Sequence, residues 1–245
     1  MEIRKTIGII LSARPSGEAD VSCSVLTREY GKAKFIFKGL RKSRKRSHTA
    51  AEPGSVSSLQ YYYNEEKESS IVSDFTIERY YPEIRQDLAR IYHLYLMLET
   101  VDRTTGLNEP SVQIFDYLGA AMDRLSSTDH PAHLTAAFLL HFLKLGGLLE
   151  VTGACSNCGS RNYSRFSLDE RDLRPVCSGC GGAGRLMPRE TMDFIVEALN
   201  RKFSSIENDR YAKESILDLV YSLILFVENY YHIRIKSKEF ILGEG

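Results

Sequence analysis

The stretch DVSCSVLTREYGKAKFIF, residues 20–37, reads as two strands joined by a tight turn. In its first half Val21, Cys23 and Val25 alternate with Ser22 and Ser24, the period of two that a strand with one buried face imposes. Tyr30-Gly31 supplies a turn. The second half then sets Phe35 and Phe37 on one face and Lys32, Lys34 and, just beyond, Lys38 on the other. Working outward, residues 3–13, 56–63 and 70–77 are also short and rich in β-branched or aromatic side chains. Pro15-Ser16-Gly17, Pro53-Gly54 and Asn64-Glu65 punctuate them. Five strands in about 80 residues make a small closed barrel, for which the OB-fold is the commonest five-stranded solution and an SH3-type barrel the other candidate.

From Pro82 the period changes. Ile84, Leu88, Ile91, Tyr95, Leu98 and Val101 recur every three or four residues, which predicts an amphipathic helix with Pro82 in its first turn, broken by Gly106 and Asn108. Further helices are expected over 110–125, 131–149, 188–203 and 211–231, the last apolar on most sides and so central to a bundle. The expected class is therefore α+β. An OB-fold nucleic-acid-binding domain occupies residues 1–80, and an all-α helical domain spans 81–242, interrupted at about 151–187 by a cysteine-bearing insert.

That insert contains CSNCGSRNYSRFSLDERDLRPVCSGCGG, in which Cys155, Cys158, Cys177 and Cys180 form two CxxC pairs. Two thiolates separated by two residues grip one tetrahedral ion from a tight turn, and Gly159 and Gly181 relieve the backbone behind each pair. The spacing points to one Zn(II); an iron–sulfur cluster and a redox pair are the alternatives. Four sulfurs close the coordination shell and leave no position for an activated water, so the ion is structural. It would contribute on the order of 10 kcal/mol to folding an insert with few apolar side chains.

Composition is that of an ordinary globular chain, 43% hydrophobic and 26% charged, with a formal net charge of zero. The zero hides polarity: residues 1–48 carry 12 Lys or Arg against 4 Asp or Glu. A basic N-terminal module on a mildly acidic body suggests that one part recognises a polyanion. The longest apolar run, at 219–227, is far below the roughly 20 residues that cross a bilayer, and the cysteine pattern suits a reducing compartment. A cytoplasmic protein without membrane contact is expected. Grouped carboxylates, a Cys–His pair and a phosphate-cradling glycine loop are all missing from the sequence, so no enzyme is expected. His130, His133 and His141 read as surface or packing residues, and Cys23 as a small core residue.

Positive charge concentrates at KGLRKSRKRSHTA, residues 38–50. On a barrel this run leaves the third strand. The expected nucleic-acid contacts are Arg28, Lys32, Lys34, Lys38, Arg41, Lys42, Arg44, Lys45 and Arg46, the last five on a flexible arm that follows a sugar–phosphate backbone. Tyr61, Tyr62 and Tyr63 cannot all be buried on one strand, so they form an ordinary strand or leave one or two rings for base stacking.

Local sequence carries a resemblance as well. GEADVSCSVLTREYGKAKFIFKGLRKSRKRS, residues 17–47, is similar to the RecO family of bacterial recombinational-repair proteins: a Glu-Xaa-Asp, a strand ending in Leu-Thr-Arg, a Gly turn, a third strand, then Lys-Gly and a basic run. In the cysteine segment CGS and FSLDERDLRPVC resemble that family's ribbon, with Asp172 and Leu173 standing where the family often has glycines. The resemblance covers nearly the whole chain. It implies binding to single- and double-stranded DNA, annealing of complementary strands, and work with RecR and the single-stranded DNA-binding protein in loading RecA on gapped DNA, all without breaking a bond. The competing reading is a zinc-ribbon adaptor whose basic arm binds RNA or an acidic protein.

Overall fold

A computed structural model describes residues 3–64, 69–201 and 210–243. Glu65 of one expected turn and the expected helix end at 203 lie outside them. Packing divides the chain into two compact units, Met1–Ser126 and Ser127–Gly245.

The first unit is built on a closed barrel of β1 (Ile3–Ser16), β2 (Asp20–Thr27), β3 (Gly31–Phe37), β4 (Val56–Asn64) and β5 (Ser69–Arg79) in the order β1-β2-β3-β5-β4. This is the OB arrangement: a three-stranded meander whose third strand pairs in parallel with the fifth, while the first strand closes on the fourth. β1 is long enough to serve both neighbours, pairing with β4 through its first half and with β2 through its second, with the register shifting between Ile10 and Ser12. Such a bulge bends a strand and lets a small barrel close. The alternation read from the sequence holds. Cys23, Val25, Phe35 and Phe37 are buried with Ile10, Leu59, Tyr61 and Val72, and the Phe35 and Tyr61 rings meet edge to face at 5.0 Å.

Gly31 turns β2 into β3 with φ 72°, and a side chain there would collide with the backbone of Glu109. Three helices complete this unit: α1 (Pro82–Arg85), α2 (Leu88–Thr104) and α3 (Val112–Leu125). The helix expected from Pro82 is thus two. Asp87 stops it, because its carboxylate accepts from the N–H groups of Ala89 and Arg90 and starts α2 anew. Ser111 does the same for α3 by accepting from Ile114 N–H, two residues inside the expected start.

In the second unit α4 (Pro131–Leu145) packs against α5 (Arg189–Asn200) and α6 (Lys213–Tyr231), with a short α7 (Glu239–Leu242) after them. The cysteine segment adds β6 (Arg165–Leu168), β7 (Pro175–Cys177) and β8 (Met187–Pro188), ordered β7-β6-β8. α4 ends at Leu145 and not at 149, because Gly146-Gly147 folds back: Gly147 N–H donates to Lys144 O and Leu148 N–H to Leu143 O. α6 is central as expected, with Leu219, Val220, Leu223 and Val227 wholly buried. Among the described residues no helix is long and apolar enough to cross a membrane.

Candidate nucleic-acid interface and metal centre

The basic run is a folded loop and not a flexible arm. Leu40 at one end and Ala50 and Ala51 at the other are buried in the barrel core, which pins both ends of the segment. Between them run two short 3-10 turns, Leu40–Lys42 and His48–Ala51. Ser43 Oγ accepts from Arg46 N–H, and Arg46 Nη1 donates to Lys38 O at 2.9 Å while its guanidinium lies 5.0 Å over the Phe75 ring. Arg41 donates to the carbonyls of Gly17 and Glu18, and Lys42 pairs with Glu18 at 2.8 Å. Apolar anchors and these contacts hold the loop against the β1–β2 turn.

The nine expected cations divide by their commitments. Lys34, Arg44 and Lys45 are exposed and have no side-chain partner among the described residues. Lys38 and Lys42 are also largely exposed, and their single ion pairs with Asp20 and Glu18 are of the kind worth about 0–1 kcal/mol, so a phosphate can replace either partner. Arg41 and Arg46 shape the loop. Arg28 is held bidentate by Asp116 of α3, with its Nε and Nη2 at 3.1 and 3.0 Å from the carboxylate; this is the stronger class of pair. Lys32 is only 12% exposed, donates to the backbone carbonyl of Asp102 in α2, and lies 3.8 Å from its carboxylate.

The five exposed cations Lys34, Lys38, Lys42, Arg44 and Lys45 thus follow one path from mid β3 into the loop, while Arg28 and Lys32 turn toward the helices. Of the tyrosines, Tyr61 is buried, whereas Tyr62 and Tyr63 are half-buried and Tyr63 carries Arg4 5.2 Å over its ring. A further cation on this face is Arg14, which no motif in the sequence marks. It is exposed on β1, and its register partner Ser22 marks it as projecting from the outer sheet face, a signal that only strand pairing reveals.

The four cysteines converge. The sulfurs of Cys155, Cys158, Cys177 and Cys180 all lie within 4.8 Å of one another, with Cys158 and Cys177 at 3.9 Å. A tetrahedron of sulfurs about 2.3 Å from a central ion has edges of about 3.8 Å, so the donor set fits such an ion. Gly159 and Gly181 follow their CxxC pairs at φ 72° and 75°, as the turns require. Cys177 N–H donates to Cys155 Sγ at 3.3 Å, and Gly159 N–H to Cys155 O at 2.8 Å.

Backbone N–H groups of Cys177 and Cys158 hold the Cys155 thiol down, to about 6, which favours the thiolate that a metal needs; the crowding sulfurs of Cys177 and Cys158 push Cys180 up. Leu173, at one of the positions where the resemblance leads one to expect glycine, takes a left-handed backbone with φ 55° and is 1% exposed, its buried side chain offsetting the strain.

The remaining polar candidates are packing groups. His133 and His141 meet the carbonyls of Tyr211 and Ala198 at 2.9 and 2.6 Å, and burial lowers the pKa of His141. Cys23 is buried inside the barrel, where desolvation raises its thiol to about 12.

Comparison with known proteins agrees with this architecture. Residues 1–81 match the family model described as Recombination protein O N terminal, and residues 85–239 match Recombination protein O C terminal. The chain is 30% identical to a DNA repair protein RecO of Streptomyces coelicolor over 87% of its length and 90% of the relative's. It is 25% identical to that of Anaeromyxobacter dehalogenans, covering 98% and 96%. The RecO of Moorella thermoacetica is 26% identical, over 96% and 88%.

Proposed function

The chain belongs to the recombination protein O family of DNA repair proteins, and from that premise we propose that its barrel grips the sugar–phosphate backbone of single-stranded DNA and promotes pairing of complementary strands. The observation that supports this most is the path of exposed cations Lys34, Lys38, Lys42, Arg44 and Lys45 on a loop of fixed shape. Contacts to phosphate fix position without occupying base edges, so two bound strands are relieved of mutual repulsion while their pairing faces remain free. Duplex DNA is a second substrate of the same charge chemistry.

In this reading Cys155, Cys158, Cys177 and Cys180 hold one structural zinc ion, which supplies folding energy to the ribbon and takes no part in DNA contact. The protein acts by binding and not by covalent chemistry, in the cytoplasm, together with RecR and the single-stranded DNA-binding protein, to assist RecA loading on gapped DNA. His133 and His141 are spoken for by backbone carbonyls, which agrees with a non-catalytic role.

The test is annealing of complementary labelled oligonucleotides by the purified protein, with folded RNA as competitor and intact strand length as a control. Accelerated annealing that single-stranded DNA inhibits more strongly than folded RNA supports the reading. Preferential inhibition by folded RNA, or cleavage of the strands, overturns it.

A further inference from the structure

The outer face of β1, β2 and β3 carries a groove of about 480 Å³ whose walls include Ser12, Arg14, Ser24, Lys32, Lys34 and Asp102. Strand register makes it a built surface: Ser12 pairs with Ser24, and Ser24 with Lys34. Asp102 enters from the last turn of α2. Its two oxygens are taken by two hydroxyls, Ser24 Oγ at 2.6 Å and Ser12 Oγ at 2.8 Å, and the Lys32 ammonium, which donates to the Asp102 backbone carbonyl, lies 3.8 Å from the carboxylate. Two hydroxyl donors from adjacent strands plus one ammonium, converging on a pair of anionic oxygens, are the donors that proteins bring to a phosphodiester.

The carboxylate is also out of place on its own helix. A negative charge near a helix C-terminus opposes the helix dipole. Ser12, Ser24 and Lys32 compensate for it. The rim carries Arg14 and Lys34, both exposed and without side-chain partners among the described residues, so the groove keeps positive charge after the Asp102 pairing.

We propose that Asp102 is a stand-in anion: it occupies a phosphate cradle formed by Ser12, Ser24 and Lys32, and a phosphodiester of a bound single strand takes its place. The inference rests on the reading of the barrel as a single-strand grip, and it adds a site that the exposed path of cations does not include. Arg14 and Lys34 draw the strand to the groove, and Asp102 limits its affinity. While the carboxylate sits in the cradle, Lys32 counts as neutralised and adds nothing to the salt dependence of binding.

The experiment is binding of a fluorescent oligothymidylate to the full chain across a salt series, comparing the wild type with Asp102→Asn, Lys32→Ala and the double variant. Removing the carboxylate charge leaves the Lys32 ammonium unneutralised and worth about one phosphate contact, so Asp102→Asn is expected to bind about fivefold tighter near 0.1 M salt, with a log–log slope steeper by about 0.7. That gain should vanish in the Lys32→Ala background. Unchanged or weaker affinity in Asp102→Asn, or a gain that persists without Lys32, overturns the proposal.

Should Asp102→Asn fail to fold, amide exchange on the wild type decides: oligothymidylate binding is expected to lower protection at the end of α2 and at Asn108, whose N–H donates to Lys32 O. Unchanged or increased protection there contradicts displacement. A wild type that does not bind oligothymidylate at all refutes the underlying reading, which a flat response of Asp102→Asn alone does not.

Discussion

The Lys38 ammonium lies 2.6 Å from one oxygen of Asp20 while Gly39 N–H donates to the other at 2.9 Å, so a single carboxylate fixes both side chain and backbone where the basic loop leaves β3. The Lys38 hydrogen bond, then the Gly39 N–H, lowers the Asp20 pKa below the ordinary 3.8. A depressed carboxylate stabilises the fold above its unfolded pKa, and that stability is lost as pH falls through the folded value. NMR titration should place the Asp20 midpoint below 3.8, with the Gly39 amide shift following it. A midpoint at or above the ordinary value would show that the staple is not formed in solution.

The same staple gives a mutational sign opposite to simple charge counting. Asp20→Ala removes a negative charge beside the loop, yet it also releases Lys38 and the Gly39 backbone. The expectation is weaker binding of single strands at moderate salt with little change in melting temperature, read by fluorescence anisotropy and thermal unfolding. Tighter binding would mean that Asp20 acts only through its charge.

Phe35 fills the barrel against Tyr61 and is 1% exposed. Its truncation to alanine should cost about 3–5 kcal/mol, from lost burial and the cavity left behind. Chemical denaturation should show the loss. A cost under about 1 kcal/mol would place Phe35 outside a well-packed core.

Removing metal should unfold the ribbon selectively. One zinc per chain by elemental analysis, and loss of amide protection over β6 and β7 on chelation, are the expected results. Cys177→Ser should reproduce the loss without chelator, because it removes one of the four converging sulfurs. A full complement of protection in metal-free protein would contradict a folding role for the ion.

Burial lowers the pKa of His141, whose Nε2 lies 2.6 Å from Ala198 O. The unfolded chain then takes up a proton first. The stability that His141 contributes is therefore whole above its ordinary 6.5 and drains as pH falls from there through the lower folded value. Urea denaturation between pH 7.5 and 5 should show this slope, and His141→Gln should flatten it. A slope unaffected by the substitution would assign the pH dependence elsewhere.

What the sequence makes legible is whatever short-range chemistry controls. Alternation in Val21, Cys23 and Val25 and the even spacing of Lys32 and Lys34 give the strands of the barrel and their inward faces, and the CxxC spacing gives the sulfur cluster. The split at Asp87 is local too, but a cap inside a good apolar period is hidden by it. Less legible is what distant elements do to a charged side chain. Arg28 and Asp116 are 88 positions apart and Lys32 and Asp102 are 70, so nothing near Arg28 or Lys32 says that they are spoken for. The loop's order is hidden for a related reason: Leu40, Ala50 and Ala51 look unremarkable among eight cations and hydroxyls, yet they fasten it to the core.

The salt dependence of single-strand binding should change when the exposed cations are removed. Changing Lys34, Arg44 and Lys45 together to alanine spares Arg41 and Arg46, which shape the loop, and so tests charge without disturbing fold. At about 0.7 per phosphate contact on single strands, the slope of log affinity against log salt should become shallower by about 2, with an unchanged melting temperature. An unaltered slope and affinity in that folded variant would contradict the assignment of this surface as the strand grip.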